Sequence, residues 1–499
     1  MISLPNFKLL CSCSLLLKLL ICISLKSSDV PDEIFQSMEI SHAMTFGFGH
    51  FTWEWHHGLR SWLHPSIYSI CILFPLKFLR LDNPLLMNVS VRLLHAFFAF
   101  ISEVFFCKRV GDEFGGDTQR WTMFLFVTNI FYTHCIIRPL VNSLEAMCVV
   151  AGMGAYGFGK NCKTFWFLLF AALACMLRPT AAILWVPLCL YHLVFTKSFQ
   201  FCVFTAMFVL TAVTVLVSLD TFMYDRMVFS HYNFMLFNIL SDANSFFGVN
   251  SVHWLFSCAI SACMGICTPI WWISVFKLHG KFTLIISLVV FNIIILSFSS
   301  HKEMRFVLQL VPLMHVVSAY FVVHHLSQKH NQILSLILPA AMIAILPYLE
   351  VYHQNGGIST AYYLSSQISN NSRLLLLVPC FSIPLYSHLH IRVPIRMLDC
   401  PPPLNNLTFK LSSVSIPFDD PTVRGTPYVN EYSQFQSSPL LWIEENLRGD
   451  FSDYSHVILK DTDLFILIDI ILQNGFRFKS KFLHSIAPLE NFHFVVFVK

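Results

Sequence analysis

Residues 281–306 read KFTLIISLVVFNIIILSFSSHKEMRF, and the fold class is decided by this stretch. From Phe282 to Ser300 there is no Asp, Glu, Lys or Arg, whereas His301-Lys302-Glu303-Met304-Arg305 packs four ionisable side chains into five positions. A chain in hydrocarbon must satisfy every backbone N–H and C=O internally, so an apolar run of about 20 residues reads as a membrane-spanning helix. The charge cluster marks its exit into the headgroups.

Working outward, comparable runs lie near 9–25, 61–79, 91–107, 121–137, 141–159, 164–178, 181–196, 200–219, 254–274, 305–325 and 332–349, which with 281–299 makes roughly a dozen spans. Hydrophobic residues are 56% of the 499, charged residues 12%, and the mean hydropathy is +0.63, which excludes an ordinary globular protein. Some runs are short and closely spaced, as at Arg178-Pro179-Thr180, so halves of kinked helices are expected among them. The first run, Leu9 to Leu25 behind Lys8, has signal-peptide features but is expected to stay as an uncleaved anchor. A net charge of +4, 32 basic against 28 acidic residues, is too small and dispersed for nucleic-acid binding. The 16 cysteines lack metal-type spacing, and most read as small buried hydrophobes.

Past residue 350 the pattern changes. Gln354-Asn355-Gly356-Gly357 opens a polar stretch, and Pro401-Pro402-Pro403 breaks the chain later. Leu374–Val378 is too short to cross a membrane and reads as a buried strand; Ser455–Lys460 and His493–Val498 are similar, and Leu464–Leu472 reads as a helix. The expected organisation is a multi-pass membrane domain over 1–349 and a small water-facing α/β domain over 353–499. Between the first two spans, the loop 26–60 is rich in acids, histidines and tryptophans, and within it Ile34–Met44 is drawn as an amphipathic helix on the membrane surface.

Several residues are candidates for chemistry. Asp32 and Glu33 follow Pro31 at the start of the surface helix, where acids also serve as caps and complement the helix dipole. Near lipid headgroups, one of them suits removal of a proton from an attacking hydroxyl. His301, Lys302 and Arg305 fit either a loop of snorkelling basic residues or a site for a departing phosphate. Arg138, Glu145 and Arg178 fall in or beside spans, where ionisable groups are expensive; they either pair with one another or serve function. Glu54 and Arg60 share the loop with Asp32, while Trp53 and Trp55 suit interfacial anchoring.

The stretches Val30-Pro31-Asp32-Glu33-Ile34-Phe35-Gln36, Thr52-Trp53-Glu54-Trp55, Arg60-Ser61 and His301-Lys302-Glu303-Met304-Arg305-Phe306 resemble signatures of glycosyltransferase family 22. So do Arg138 with Asn142-Ser143 and Glu145, Arg178-Pro179-Thr180, and Asn233-Phe234 with Asn238, in the same order over nearly the whole chain. In the tail, Pro379-Cys380, Tyr386-Ser387-His388-Leu389-His390, Arg396-Met397-Leu398-Asp399-Cys400-Pro401-Pro402 and Pro439-Leu440-Leu441-Trp442 resemble the family's branch of glycosylphosphatidylinositol (GPI) mannosyltransferases. Two departures from the pattern are Val30 before Pro-Asp-Glu, where many members have His or Asp, and Asp225 where the Asp-x-x-x-Tyr-Gly element ends in Gly.

The resemblance implies a GT-C fold with its first loop in the endoplasmic reticulum lumen. It further implies dolichyl phosphate mannose as donor, a GPI precursor lipid as acceptor, and addition of the third mannose in α-1,2 linkage. The implied roles are Asp32 as general base and Glu33 in placing the acceptor. Glu54, Arg60, Arg138, Glu145, His301, Lys302 and Arg305 would bind substrate, with no cofactor or obligatory metal. A sibling acting on the lipid-linked N-glycan precursor, or adding a fourth GPI mannose, is the enzymatic alternative. A polytopic transporter is the non-enzymatic one, although no paired or inverted repeat accompanies the charges.

Overall fold

The computed structural model describes residues 4–159, 162–278, 280–402, 429–447, 450–485 and 491–499. Among them, seven helices are long and apolar enough to cross a membrane: Phe7–Ser24, Pro84–Phe114, Pro179–Thr196, Phe199–Tyr224, Leu255–Lys277, Met304–His325 and Gln328–Val351. Ile130–Ile136 and Val141–Gly159 form one further broken pair, and Leu63–Phe78, Thr164–Leu177 and Thr283–Ser297 are shorter apolar helices. Each expected run falls on one of these, except that 121–137 is divided between Gly116–Thr128 and Ile130–Ile136.

Two breaks have an evident cause. Ile130–Ile136 and Val141–Gly159 meet at 110°, with Arg138-Pro139 between them. Proline donates no N–H and pushes the residue before it out of the helical region. The same effect holds Arg178 extended, at φ −145° and ψ 126°, ahead of Pro179. These breaks put arginines at helix ends, where the backbone is already interrupted.

The chain packs as two compact units. One comprises Met1–Ser24, Gly58–His64 and Val89–Pro347; the other comprises Leu25–His57, Pro65–Asn88 and Tyr348–Lys499. The loop 26–60, assigned from the sequence to the membrane domain, therefore packs with the tail as far as His57. In the membrane unit the first helix is tied to Pro84–Phe114 by an ion pair, Lys18 Nζ to Glu103 Oε2 at 2.8 Å, with side chains 3% and 0% exposed. Ser14 Oγ accepts from Lys18 at 2.7 Å and donates to Glu103 at 3.2 Å. The N-terminal helix is thus a packed member of that unit.

The second unit is built on a five-stranded sheet: β1 (Leu374–Leu377), β2 (Ile395–Met397), β3 (His456–Lys460), β4 (Arg477–Ser485) and β5 (Phe492–Val498), in the order β2-β1-β3-β5-β4. β1 is parallel to β2 and β3, while β5 is antiparallel to β3 and β4. Side chains alternate across a sheet, and β1 is buried on both faces, which is why it reads as an unbroken leucine run. Leu374 and Leu376 join a core with Ile34, Phe35, Ala361 and Leu364, whereas Leu375 and Leu377 join Phe435, Trp442 and Leu467 on the other face. Burying Phe35 alone contributes about 2 kcal/mol. Cys380 and Cys400 form a disulfide, which the reading of cysteines as buried hydrophobes did not foresee. Two acceptor sequons for N-glycosylation lie in the tail, Asn370-Asn371-Ser372 and Asn406-Leu407-Thr408, of which the latter lies outside the described residues.

The expected amphipathic helix on the membrane surface is corrected here. The segment continues from a π-helical stretch, Ile34–Met38, into an α-helix, Glu39–Phe46, and every residue from 33 to 42 is buried. Its polar face is covered because it finds partners. Gln36 Nε2 donates to Glu54 Oε2 at 3.0 Å, Ser41 Oγ to Pro65 O at 2.9 Å, and Glu39 accepts from Ser387.

Lys18→Met strands the Glu103 carboxylate without its cation and is expected to destabilise the protein by about 3–5 kcal/mol. Adding Glu103→Gln should recover much of that loss. Thermal unfolding of the purified full-length variants in detergent measures both.

Candidate active site

The residues singled out from the sequence fall into groups within each unit. Asp32 sits in the first turn of the buried helix and is itself half-buried, while Glu33 is buried at 4% exposure. The helix start is closed by backbone: the N–H groups of Ile34 and Phe35 both donate to Pro31 O, at 3.0 and 2.9 Å. The Glu33 side chain makes no capping hydrogen bond to the helix. Glu54 lies on the short helix Trp53–His56 and is brought to the same helix by Gln36.

In the membrane unit the cluster at 301–305 is organised around a carboxylate. Glu303 bonds His301 Nε2 at 3.1 Å, accepts from Arg305 Nη2 at 2.9 Å, and is also paired with Arg305 Nε. Burial alone would raise the Glu303 carboxyl; the Arg305 guanidinium and the His301 ring overcome it and hold the group well below the usual range. Hydrogen bonding to Glu303 raises His301 against the opposing effect of its own burial. Lys302, 3% exposed, donates to Asn250 O at 2.9 Å, and Asn250 Nδ2 returns a bond to Lys302 O at 3.0 Å. Desolvation lowers the Lys302 ammonium. Two cations, a histidine that gains a proton readily and one carboxylate together suit the binding of a phosphate.

Around the broken helix pair the structure assembles a second set. Arg138 is fully buried, and its Nε donates to His134 O at 3.2 Å. Asn142 Nδ2 donates to Arg305 O at 3.3 Å, which ties this bend to the cluster. Glu145 pairs with Arg178 at 2.8 Å, and the Arg178 guanidinium lies 5.4 Å from the centre of the Phe306 ring. The sequence left Arg138, Glu145 and Arg178 between mutual pairing and function; Glu145 and Arg178 pair with each other.

Arg60 is placed by residues that sequence reasoning noted only as a motif. Asp220, fully buried, accepts from Ser61 Oγ and Trp62 N, both at 2.9 Å, and from Ser230 Oγ at 2.5 Å. One turn on, the Tyr224 hydroxyl donates to Arg60 O at 2.7 Å. The Asp-x-x-x-Tyr spacing puts both groups on one helix face, directed at residues 60–62. The Arg60 guanidinium itself lies 5.7 Å from the centre of the Phe234 ring.

The model of the Alg9-like mannosyltransferase family matches residues 9–390. The chain belongs to that family. An Alg9-like mannosyltransferase is an enzyme that transfers mannose, in agreement with the function expected from the sequence. GPI alpha-1,2-mannosyltransferase 3 of Danio rerio is 28% identical over 488 residues, 95% of this chain and 86% of the relative. GPI mannosyltransferase 3 of Drosophila melanogaster is 30% identical over 84% of this chain and 73% of its own. Among solved structures, ArnT from Cupriavidus metallidurans bound to undecaprenyl phosphate is similar with a TM-score of 0.61 at 10% identity, covering 98% of this chain and 97% of ArnT. At that identity the likeness speaks for the fold, which is the expected GT-C type.

For this family member a pH dependence follows from the cluster. The folded value of His301 is raised above about 6.5, so its pairing with Glu303 is fully present below that pH and is lost as pH rises through the raised value. Stability is therefore expected to decline over that window, and His301→Gln should flatten the decline. Thermal midpoints of wild type and variant between pH 5.5 and 8.5, roughly the range of a histidine, give the comparison.

Proposed function

We propose that this enzyme adds the third mannose of the GPI anchor precursor, in α-1,2 linkage, using dolichyl phosphate mannose in the endoplasmic reticulum membrane. Support for the acceptor comes from relatives named GPI mannosyltransferases that cover most of the chain. The donor carries mannose β-linked to phosphate, so an α product calls for inversion by one direct displacement. The acceptor's 2-hydroxyl oxygen bonds to the anomeric carbon as the bond from that carbon to the phosphate oxygen breaks. Asp32 takes the hydroxyl proton, and Glu33 and Glu54 fix the surroundings of the acceptor. His301, Lys302 and Arg305 receive the charge that collects on the dolichyl phosphate, with Arg60, Arg138 and Glu145 serving substrate placement. The mechanism requires no metal, because these cations supply the positive charge.

The observation that carries the reading is the mounting of Asp32: a half-exposed carboxylate stands at the head of a helix whose next ten residues are all buried. A base so held loses little freedom on meeting its substrate. Asp32→Asn keeps the shape and removes the basic oxygen. Turnover in microsomes, from dolichyl phosphate mannose to a dimannosyl GPI precursor, is expected to fall by about 10²-fold or more with donor binding retained. Near-normal turnover with a lowered thermal midpoint would return Asp32 to a structural role.

With the cluster at 301–305 facing the lumen, the tail is lumenal as well. Met304–His325 and Gln328–Val351 are two successive spans with only two residues between them, so the chain returns to the side it left at residue 303. The Cys380–Cys400 disulfide suits an oxidising compartment. Asn370, exposed in the tail sequon Asn370-Asn371-Ser372, should then carry an N-glycan. Loss of a gel shift on glycosidase treatment in Asn370→Gln supports the assignment. Reaction of single cysteines placed at 355 and 430 with an impermeant reagent in sealed microsomes would put the tail in the cytosol instead.

A further inference from the structure

The Tyr386-Ser387-His388-Leu389-His390 stretch takes no part in the chemistry above, yet the helix bearing Asp32 is fastened to it. Glu39, seven residues on from Asp32 and 0% exposed, directs Oε1 at three donors: Leu385 N at 3.0 Å, Ser387 N at 2.9 Å and Ser387 Oγ at 2.6 Å. One turn further along, His42 Nε2 meets His390 Nδ1 at 2.9 Å. His42 Nδ1 must carry the proton given to Phe48 O, 2.9 Å away, so neutral His42 accepts from His390. The second nitrogen of His390 lies 3.5 Å from Asp82 Oδ2. Ile34 and Phe35, adjoining the two acids, are buried in the core beneath β1 and β5.

We propose that Glu39 is a positioning residue for mannose transfer: seated in the Leu385–Ser387 turn, it sets the helix's axial position and rotation so that Asp32 meets the acceptor hydroxyl. The C-terminal sheet is thereby a working part of the transferase. The inference rests on the reading of Asp32 as the base. Three features support it. A buried carboxylate is a poor device for stability alone, since well-packed apolar groups serve as well, but its demand for specific donors selects one register. Burial pushes Glu39 up, and bonds from Ser387, Leu385 and the His50 backbone oppose that effect. Between Asp32 and Glu39 the helix runs through the π-helical turn Ile34–Met38, a rare geometry that is frequent at functional sites.

A double-mutant cycle on the full-length enzyme tests this, with kcat and KM measured for wild type, Asp32→Asn, Glu39→Gln and the double variant. Ser387→Ala is the milder companion, which removes one donor and leaves the backbone intact. Glu39→Gln and Ser387→Ala are each expected to lower kcat about 10- to 100-fold with both KM values unchanged. Ser387→Thr, which keeps the hydroxyl, should restore the rate. In the Asp32→Asn background the Glu39 change should cost nothing further, because no base remains to be misplaced. An equal loss in both backgrounds, or an unchanged kcat, would overturn the proposal while leaving Asp32 as the base. If Glu39→Gln does not fold, Ser387→Ala in the two backgrounds decides. Normal turnover in Asp32→Asn would remove the base and this proposal with it.

Discussion

A charge inside hydrocarbon cannot stand alone, and the membrane unit is arranged around that constraint. Lys18 finds Glu103, Glu145 finds Arg178, and Asp220 draws three donors, two of them, Ser61 and Trp62, from far away in the chain. An apolar face lets one helix slide against another with little change in energy, because lipid tails are as apolar as leucine. A buried ion pair or a carboxylate with defined donors does not tolerate sliding. The few charges therefore specify which helices meet and at what height, while the many apolar residues specify only that they lie in the membrane.

Much of this was legible in the sequence. Spans need only length and apolarity, so the runs from 9–25 to 332–349 stood out from composition. β1, β3 and β5 were legible for the same reason, being short runs buried on most sides. β2 is three residues long, and β4, Arg477–Ser485, is an edge strand rich in Lys, Arg and Ser, so neither carries an apolar signal. The helix after Asp32 was misplaced because its period of polar residues indicates a water-facing side. Its true partners, Ser387 and His390, lie nearly 350 positions away and leave no local trace. Asp220 and Tyr224 were visible as a motif, but their task of holding residues 60–62 depends on tertiary contacts.

The carboxylate inside the basic cluster has a physical rationale of its own. Arg305 free to swing would offer charge without direction, and a phosphate would have to order it on arrival. Bound to Glu303, the guanidinium is already oriented, and the same carboxylate raises His301 toward its charged form. Lys302, with its ammonium on Asn250 O, is likewise set before any ligand arrives. Such preorganisation exchanges some net charge for fixed geometry, which on the proposed reading of this cluster as the phosphate site is favourable as charge develops on the leaving group.

The insertion of Ile34 and Phe35 beneath β1 and β5 has a consequence for the order in which the protein matures. The chain leaves the ribosome N-terminus first at about 5–20 residues per second. Residues 32–46 thus emerge long before β3 at His456–Lys460 and β5 at Phe492–Val498, on which their burial depends. For most of its synthesis the acid-bearing segment lacks its final support, and the membrane helices are in place before it acquires one. On the proposed reading of Asp32 as the base, activity depends on β5, so that loss of that strand would silence a residue some 460 positions upstream of it.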